Sequence, residues 1–245
     1  MAWVPNEEGK ELAAPLPISG VSEIKEVKLY EMEASPPCVM VRSFLAYAGI
    51  AHQSILVSMP GKKEIKWSKY KKVPIVTVNG LQINDSYIIF KELSRIIFGR
   101  QLSESESRQV HEVTYGLLLA YEAEIFGNEE SRSRFIATFL KGNCCFTCFI
   151  VPLIRHMLSK APAKIKKSNP GLKSLDEYGK KIRSEMAGTF IGGSQPGPVD
   201  VMVWGLVEQA RHIEVKTMES WLSRTDLMPW FKNMDGIMSS KKSIW

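Results

Sequence analysis

The residues best placed for chemistry lie at positions 32–38, in the sequence Met-Glu-Ala-Ser-Pro-Pro-Cys, where the first predicted helix begins. Ser35 is predicted to cap this helix, and Pro36 takes its first position, where a missing N–H group costs nothing. The positive end of a helix lowers the pKa of a nearby thiol and attracts anions. Two cysteines spaced Cys-x-x-Cys would make a dithiol centre here, but serine stands in place of the first. Ser35 and Cys38 are therefore the candidate catalytic residues, and one sulfur cannot close an intramolecular disulfide.

Two residue pairs further along the chain are candidates for ligand binding. Val73-Pro74 opens a predicted strand, either as a trans proline at its edge or as a cis proline that exposes the Val73 backbone to a bound peptide. The β-α-β order before it and the Asn79-Gly80 hairpin after it favour the cis form, with the Val73 backbone facing Ser35. Asp85-Ser86 begins a helix, where the pair either only caps the helix or also holds a carboxylate.

Two other motifs have structural interpretations. Cys144, Cys145 and Cys148 include a Cys-x-x-Cys spacing, but the only nearby fourth metal ligand is His156, two turns along a helix that contains a proline. We therefore predict a buried apolar helix and no metal site. Asp200 follows a Gly-Pro-Val sequence at a helix start, where a carboxylate interacts favourably with the helix dipole.

Composition narrows the classes of function. The 245 residues suffice for one large or two small domains, and the four cysteines without a secretory signal peptide argue against a disulfide framework. The net charge is +6, and the segment 160–183, from Lys160 to Arg183, holds eight basic residues against two acidic ones. This segment is either a solvated face or a site for anionic lipid or an acidic partner. No aromatic residues are interleaved with these lysines, which argues against nucleic acid binding. No apolar stretch is long enough to span a membrane.

The order of predicted elements is β-α-β-α-β-β-α, followed by helices only. Strands are predicted at 27–32, 53–57, 73–78 and 81–83. Helices are predicted at 36–48 and, after the Asp85 cap, to residue 98, and the lysine-rich connector at 61–70 is predicted to form one or two helical turns. The first two strands should pair in parallel because a helix connects them. Later helices are predicted at 104–126, 132–158, 174–188, 199–212, 218–222 and 228–238. The expected organisation is an extended tail at 1–24, an α/β domain at 25–100 and an all-α domain at 101–245.

Taken together, these motifs resemble the glutathione-transferase superfamily, and within it the prostaglandin E synthase type 2 family. The most specific stretch runs from Tyr-Lys-Lys-Val-Pro-Ile at 70–75 to Asn-Asp-Ser at 84–86. The resemblance implies a thioredoxin-like domain followed by an all-helical domain, with glutathione bound at Val73, Pro74, Asp85 and Ser86. For an intact family member it also implies isomerisation of a prostaglandin endoperoxide or a related thiol chemistry.

The sequence departs from the family pattern Tyr-x-x-Cys-Pro-Phe-Cys at its chemical centre. Met32 replaces the tyrosine, Ser35 the first cysteine and Pro37 the phenylalanine. A serine is a poor nucleophile without a base beside it, although a serine at this position can hydrogen-bond a glutathione thiolate. Three functions remain open: a non-catalytic accessory subunit of a mitochondrial membrane complex, a glutathione-dependent prostaglandin E synthase or transferase that uses Ser35, and a glutathione-binding module. The first is favoured, with a cytoplasmic location as the alternative to a mitochondrial one.

The amino-terminal 20 residues contain three prolines and no apolar period, so they are predicted to be extended. Ordering each residue costs about 1–2 kcal/mol, so an ordered tail needs a surface to lie on. Trp3, Val4, Leu12, Leu16 and Ile18 could supply the contacts. The chain's own domain could provide that surface, but a partner subunit is the preferred host.

Overall fold

The computed structural model describes residues 4–59, 61–140 and 147–241 of the chain. A four-stranded sheet lies near the amino terminus, with strands β1 (Val27–Glu31), β2 (Gln53–Leu56), β3 (Ile75–Val78) and β4 (Leu81–Asn84). The strand order is β2-β1-β3-β4, in which β1 runs parallel to β2 and antiparallel to β3. The turn Asn79-Gly80 joins β3 to β4 as predicted, and both residues have the positive φ angles that such a hairpin needs (50° and 81°).

Two helices complete this α/β part of the chain. Helix α1 (Pro36–Tyr47) connects the parallel strands, and helix α2 (Ser86–Phe98) follows β4. Both bury apolar side chains on helical spacing, and the rings of Phe44 and Phe90 stack at 5.5 Å between their centroids. The predicted strands and helices here agree with the structure to within about two residues.

The rest of the described chain is helical. After the loop at 99–103, the helices are α3 (Glu104–Glu112), a π-helix (Val113–Leu117), α4 (Leu118–Gly127), α5 (Glu129–Phe139), α6 (Thr147–Ser159), α7 (Ala161–Ser168), α8 (Leu175–Glu185), α9 (Pro198–His212), α10 (Thr217–Arg224) and α11 (Met228–Ser239). The predicted helix 132–158 is wrong as one element, because α5 ends at Phe139. Helix α7 was not predicted, since its lysine-rich sequence has no apolar period. The predicted domain boundary near residue 100 stays a prediction; it falls in the loop before α3.

The core joins the two parts through helices α1 and α9. A methyl group built on Gly205 of α9 would lie 3.0 Å from Cα of Met40 and 2.5 Å from Oγ of Ser43, so only glycine allows this close approach. The Gln209 amide donates a 2.8 Å hydrogen bond to the Ala34 carbonyl, next to the candidate turn. Tyr121 in turn donates to Gln209, so a buried polar chain connects the helical part to Ala34, the residue before Ser35.

The amino-terminal tail lies along the α/β part of its own chain. Leu16 and Ile18 are buried, and Leu12 packs against the same core. Val4 is 64% exposed and contributes no anchor, while Trp3 lies outside the described residues. The preference for a partner subunit as the host of the tail was therefore wrong for the described residues, because β4 and α2 provide the surface.

Candidate functional site

The turn before α1 holds Ser35 at the N-cap position, as predicted. The backbone N–H groups of Cys38 and Val39 both donate to the Ser35 carbonyl at 3.0 Å. The Ser35 side chain, however, makes no capping hydrogen bond to the helix, and the residue is half-buried. Its hydroxyl interacts instead with Cys38. The helix start is therefore held by backbone contacts and Pro36, and the Ser35 hydroxyl contacts the Cys38 thiol and not the helix backbone.

Cys38 lies at the helix start, but its surroundings disfavour a reactive thiolate. Its side chain is fully buried, and burial raises the pKa of the thiol to about 12. The negative charge of Glu31 adds to this rise, while the hydrogen bond from Ser35 acts against it. A nucleophilic or redox cysteine needs a lowered pKa and access to solvent. Cys38 has neither, so the thiol is neutral at physiological pH.

A buried ion pair beneath the turn supplies this negative charge. Glu31 at the end of β1 and Arg42 on α1 are 1% and 5% exposed, and Arg42 Nε lies 2.9 Å from Glu31 Oε2. Ser54 donates to the other Glu31 oxygen at 2.5 Å, and Arg42 Nη2 donates to the Glu33 carbonyl at 2.7 Å. This pair was not predicted from the sequence. Arg42 stands alone within the apolar sequence of α1, which was the one indication of a buried charge that needs a partner.

The Val73–Pro74 peptide bond is cis, as predicted. That the Val73 backbone faces Ser35 stays a prediction. Tyr70, three residues earlier, is buried, and its pKa is raised to about 12, first by desolvation and then by the charge of Asp85. The Tyr70 side chain therefore lies near the carboxylate that begins α2.

Asp85 caps helix α2 from an unusual backbone conformation. Its φ is 72°, and Oδ1 accepts a 3.0 Å hydrogen bond from the Tyr87 backbone N–H. The hydroxyl of Tyr115, from the π-helix, lies 3.4 Å from the same oxygen. Burial and the Asp85 charge raise the pKa of Tyr115, so its hydroxyl keeps its proton and acts as a donor. Ser86 is the first residue of α2 beside this group.

An aromatic cluster surrounds this end of the site. The rings of Tyr87, His111 and Tyr115 contact one another, with centroids 4.7–5.6 Å apart. This cluster was not predicted from the sequence. The spacing of His111 and Tyr115, four residues apart on one helical stretch, was the available signal for their contact, whereas the approach of Tyr87 depends on how α2 packs against that stretch.

The α/β part of the chain matches a family model. Residues 29–100 match the glutathione S-transferase N-terminal domain. Over 82 residues the chain is 39% identical to prostaglandin E synthase 2 of Danio rerio, a match that covers 33% of this chain and 22% of that protein. It is 23% identical to prostaglandin E synthase 2 of Mus musculus, over 95% of this chain and 74% of the mouse protein. Human glutathione S-transferase T1-1 superposes with a TM-score of 0.52 at 14% identity, covering 86% of this chain and 84% of that structure.

The chain has the glutathione-transferase fold. The predicted fold class and the resemblance to prostaglandin E synthase 2 are thereby confirmed. Within this fold, the turn before α1, the cis Val73–Pro74 bond and the start of α2 belong to the matched N-terminal domain. The helical part lies outside the match to the family model, and its similarity rests on the alignment with the mouse protein and on the structural superposition.

The other motifs of this glutathione-transferase-fold chain are structural or lie outside the described residues. Asp200 is buried and accepts hydrogen bonds of 2.7–2.9 Å from the backbone of Ile191, Gly192 and Gly197 and from the Trp230 indole. Cys144 and Cys145 lie outside the described residues, and the side chain of Cys148 is also not described. Within the described ranges, no three His, Cys, Asp or Glu residues are grouped so that they could hold a metal ion.

The basic segment 160–183 forms α7, a loop and most of α8 in this fold. Lys181 pairs with Glu112 and, at 3.6 Å, with Glu185, and Arg183 pairs with Asp226 at 3.2 Å. On the preceding helix α6, Leu153 and Met157 are 60% and 63% exposed. Among the described helices, none combines the length and apolar composition that crossing a membrane requires.

Proposed function

We propose that this glutathione-transferase-fold chain is a non-catalytic accessory subunit of a larger protein complex at a mitochondrial membrane. One observation carries the proposal: the only cysteine of the candidate turn, Cys38, is fully buried and has a pKa raised to about 12. Thiol chemistry needs an accessible thiolate. The serine at position 35 removes the second sulfur, so the turn has no dithiol to cycle.

The basic segment 160–183 supports a partner for this subunit. Its lysines lie on α7, the following loop and α8, and the two exposed apolar residues Leu153 and Met157 lie on α6, directly before α7 in the chain. Such a combination suits either anionic lipid or an acidic protein, and its affinity should fall as salt rises. Protein subunits of the complex are the preferred partners, and lipid contact would account for association with a membrane.

Glutathione is the small ligand proposed for this chain, at Val73, Pro74, Asp85 and Ser86. The Asp85 cap at the start of α2 and the match of residues 29–100 to the family domain support this proposal. Asp85 would receive the amino group of the peptide, and the start of α2 at Ser86 would receive a carboxylate. The Ser35 hydroxyl would be the donor nearest the thiol.

The experiment is co-purification of the tagged endogenous protein from solubilised membranes, followed by size analysis and mass spectrometry. We expect the chain in a high-molecular-weight fraction with a constant set of other proteins. A protein that runs as a monomer without partners would remove the accessory-subunit function.

A second candidate function is a glutathione-dependent isomerase of the prostaglandin E synthase kind, or a transferase, that uses Ser35. The observation that favours it is the Ser35 hydroxyl, which lies at the N-terminus of α1 without capping the helix. The purified chain should be assayed with glutathione and a prostaglandin endoperoxide, and with glutathione and an electrophilic aryl halide. Turnover that Ser35→Ala abolishes would establish this function. We expect no turnover above the rate without protein.

The same preparation tests dithiol chemistry. We expect negligible disulfide reduction by the unmodified chain, and we expect Ser35→Cys to restore dithiol behaviour if the turn is otherwise intact. Robust reductase turnover by the unmodified chain would contradict the non-catalytic proposal.

A further inference from the structure

The amino-terminal tail covers one end of the candidate glutathione site. We propose that its turn at residues 6–9, called the tail turn here, decides ligand access to Asp85 and Ser86, and that this end of the site opens only when the tail turn detaches. The inference rests on the glutathione site proposed above and adds the element that controls it.

The tail turn is held by Asn6, which is only 8% exposed. Its side-chain amide donates to the Asn84 carbonyl at 2.7 Å, and its side-chain oxygen accepts from the Asn84 backbone N–H at 2.9 Å. The Asn84 side chain donates back to the Asn6 carbonyl at 3.0 Å. Asn84 ends the edge strand β4 and directly precedes Asp85. The Asn6 side chain therefore satisfies the backbone groups of Asn84 at the open edge of the sheet, one residue from the proposed ligand group.

Gly9 brings the tail backbone directly against Asp85. Its φ is +72°, and its N–H donates to the Asn6 carbonyl at 2.8 Å, which closes the tail turn. A methyl group built on Gly9 would lie 2.9 Å from Cε2 of Tyr70 and 3.2 Å from Cβ of Asp85. No ligand atom fits between surfaces this close. A peptide that needs this side of Asp85 must therefore displace the tail turn.

A second anchor keeps the tail attached when the tail turn opens. The Leu16 backbone N–H donates to Glu92 at 3.1 Å, and Arg95 donates to the carbonyls of Leu16 and Ile18 at 3.0 and 2.9 Å. The side chains of Leu16 and Ile18 are both buried against the core. Residues 13–15 between the two anchors are exposed. Because the tail turn is held by polar contacts and the second anchor also by apolar burial, the tail turn should open first while the tail stays tethered.

The tail turn and glutathione should then compete. The apparent affinity for glutathione equals the intrinsic affinity multiplied by the fraction of molecules in which the tail turn is open. Weakening the tail turn should raise that fraction without any change to Asp85, Ser86 or Val73. A tail that controls access should therefore change the glutathione affinity when it is weakened, whereas a tail that only stabilises the fold should not.

The experiment uses two independent variants of the full chain, each with a matched control. Asn6→Ala removes both side-chain hydrogen bonds to the Asn84 backbone, and Glu8→Ala is its control because Glu8 is exposed and pairs only with Lys10 on the tail itself. Gly9→Ala introduces the close contacts and a strained φ, and Gly20→Ala is its control because Gly20 has an extended backbone and open space around it. Hydrogen exchange of the Asn84 amide measures opening, and calorimetry measures the dissociation constant for glutathione.

We expect both Asn6→Ala and Gly9→Ala to speed exchange at Asn84 and to tighten glutathione binding, by about tenfold for the loss of two hydrogen bonds. The two control variants should match the unmodified chain in both measurements. Adding Ser86→Ala to Asn6→Ala should reverse the gain, which places the bound glutathione at α2.

Faster exchange with an unchanged or undetectable glutathione affinity would overturn the inference, as would a gain that Ser86→Ala leaves intact. These results would leave the accessory-subunit function standing. Conversely, catalytic turnover by the unmodified chain would overturn the non-catalytic function and leave the competition between the tail turn and glutathione unaffected.

Discussion

The two ends of the candidate site have opposite properties. At the turn before α1, Cys38 is buried, its pKa is raised to about 12, and the buried pair of Glu31 and Arg42 lies beneath it. At the start of α2, Asp85 accepts hydrogen bonds at the protein surface, and the exposed Tyr115 contributes its hydroxyl. The first end resembles a protein core, and the second resembles a binding surface.

This difference separates thiol reactivity from ligand binding, two properties that a thioredoxin-like site normally combines. Reactivity needs a thiolate with solvent access, whereas binding needs donors and acceptors in fixed positions. In this chain the start of α2 presents fixed donors and acceptors, whereas the thiol of the turn is buried. Four predictions test this contrast, beginning with the largest expected effect.

The reactivity of Cys38 tests most directly whether the thiol at the turn before α1 is buried and protonated. Because its pKa is raised to about 12, the thiolate fraction at pH 8 should be about a thousandfold below that of the unfolded chain. We expect alkylation of Cys38 by iodoacetamide to be slower by about that factor or more in the folded protein. Its rate should rise about tenfold for each pH unit until near pH 12. Peptide mass spectrometry measures the rate at Cys38 alone, and a rate that levels off below pH 9 would contradict the raised pKa.

Removing one partner of the ion pair beneath the turn should be the most destabilising single substitution at this end. Arg42→Met leaves the Glu31 carboxylate buried without its cation, which should lower the free energy of unfolding by about 3–5 kcal/mol. Burial raises the pKa of Glu31, so the folded state favours its protonated form. The destabilisation should therefore shrink as pH falls and the carboxylate becomes neutral. Urea denaturation at several pH values measures both effects.

The control is Arg108→Met, because Arg108 is 73% exposed and lies 3.7 Å from Glu104. Exposed pairs of this kind contribute about 0.5 kcal/mol or less. Adding Glu31→Gln to Arg42→Met should recover part of the loss. Equal effects of Arg42→Met and Arg108→Met would show that the buried pair is not the main support of the turn.

At the start of α2, two substitutions of Asp85 should differ in their effect on stability. Asp85→Ala removes a helix cap and places alanine at a φ of 72°, so we expect a loss of about 1–2 kcal/mol in the free energy of unfolding. Asp85→Asn keeps the capping oxygen and accepts the positive φ, so it should change stability by less than about 0.5 kcal/mol. Asparagine nevertheless removes the charge that would hold an ammonium group, so glutathione affinity should fall. Thermal unfolding and calorimetry distinguish a stabilising from a binding role.

The smallest effect is expected at Ser35. Because its side chain does not cap α1, Ser35→Ala should change the free energy of unfolding by less than about 0.5 kcal/mol. Ser103→Ala is the matched control, since Ser103 caps α3 within a full capping box and its loss should cost about 1 kcal/mol. Chemical denaturation of both variants in parallel measures the difference. A larger cost at Ser35 than at Ser103 would show that the Ser35 hydroxyl is committed to structure.

The sequence by itself determined the local framework of this protein. The parallel pairing of β1 and β2, the Asn79-Gly80 hairpin, the cis Val73–Pro74 bond and the Asp85 cap were all predicted and are present. Each depends on residues within about 30 positions of one another, so spacing and side-chain type carry enough information. The fold class followed from the order of these elements together with the family resemblance.

The tertiary structure alone decided the character of the candidate site. The pKa of Cys38 depends on what covers it, and the contact of Asn6 with Asn84 joins residues 78 positions apart. Gln209 reaches Ala34 across 175 positions, and Tyr115 of the π-helix meets Asp85 across 30 positions. Burial and charge act through space, and these distances are set when the whole chain packs. A local sequence pattern can therefore name the residues of the site, but the packing decides which of them are exposed and which are covered.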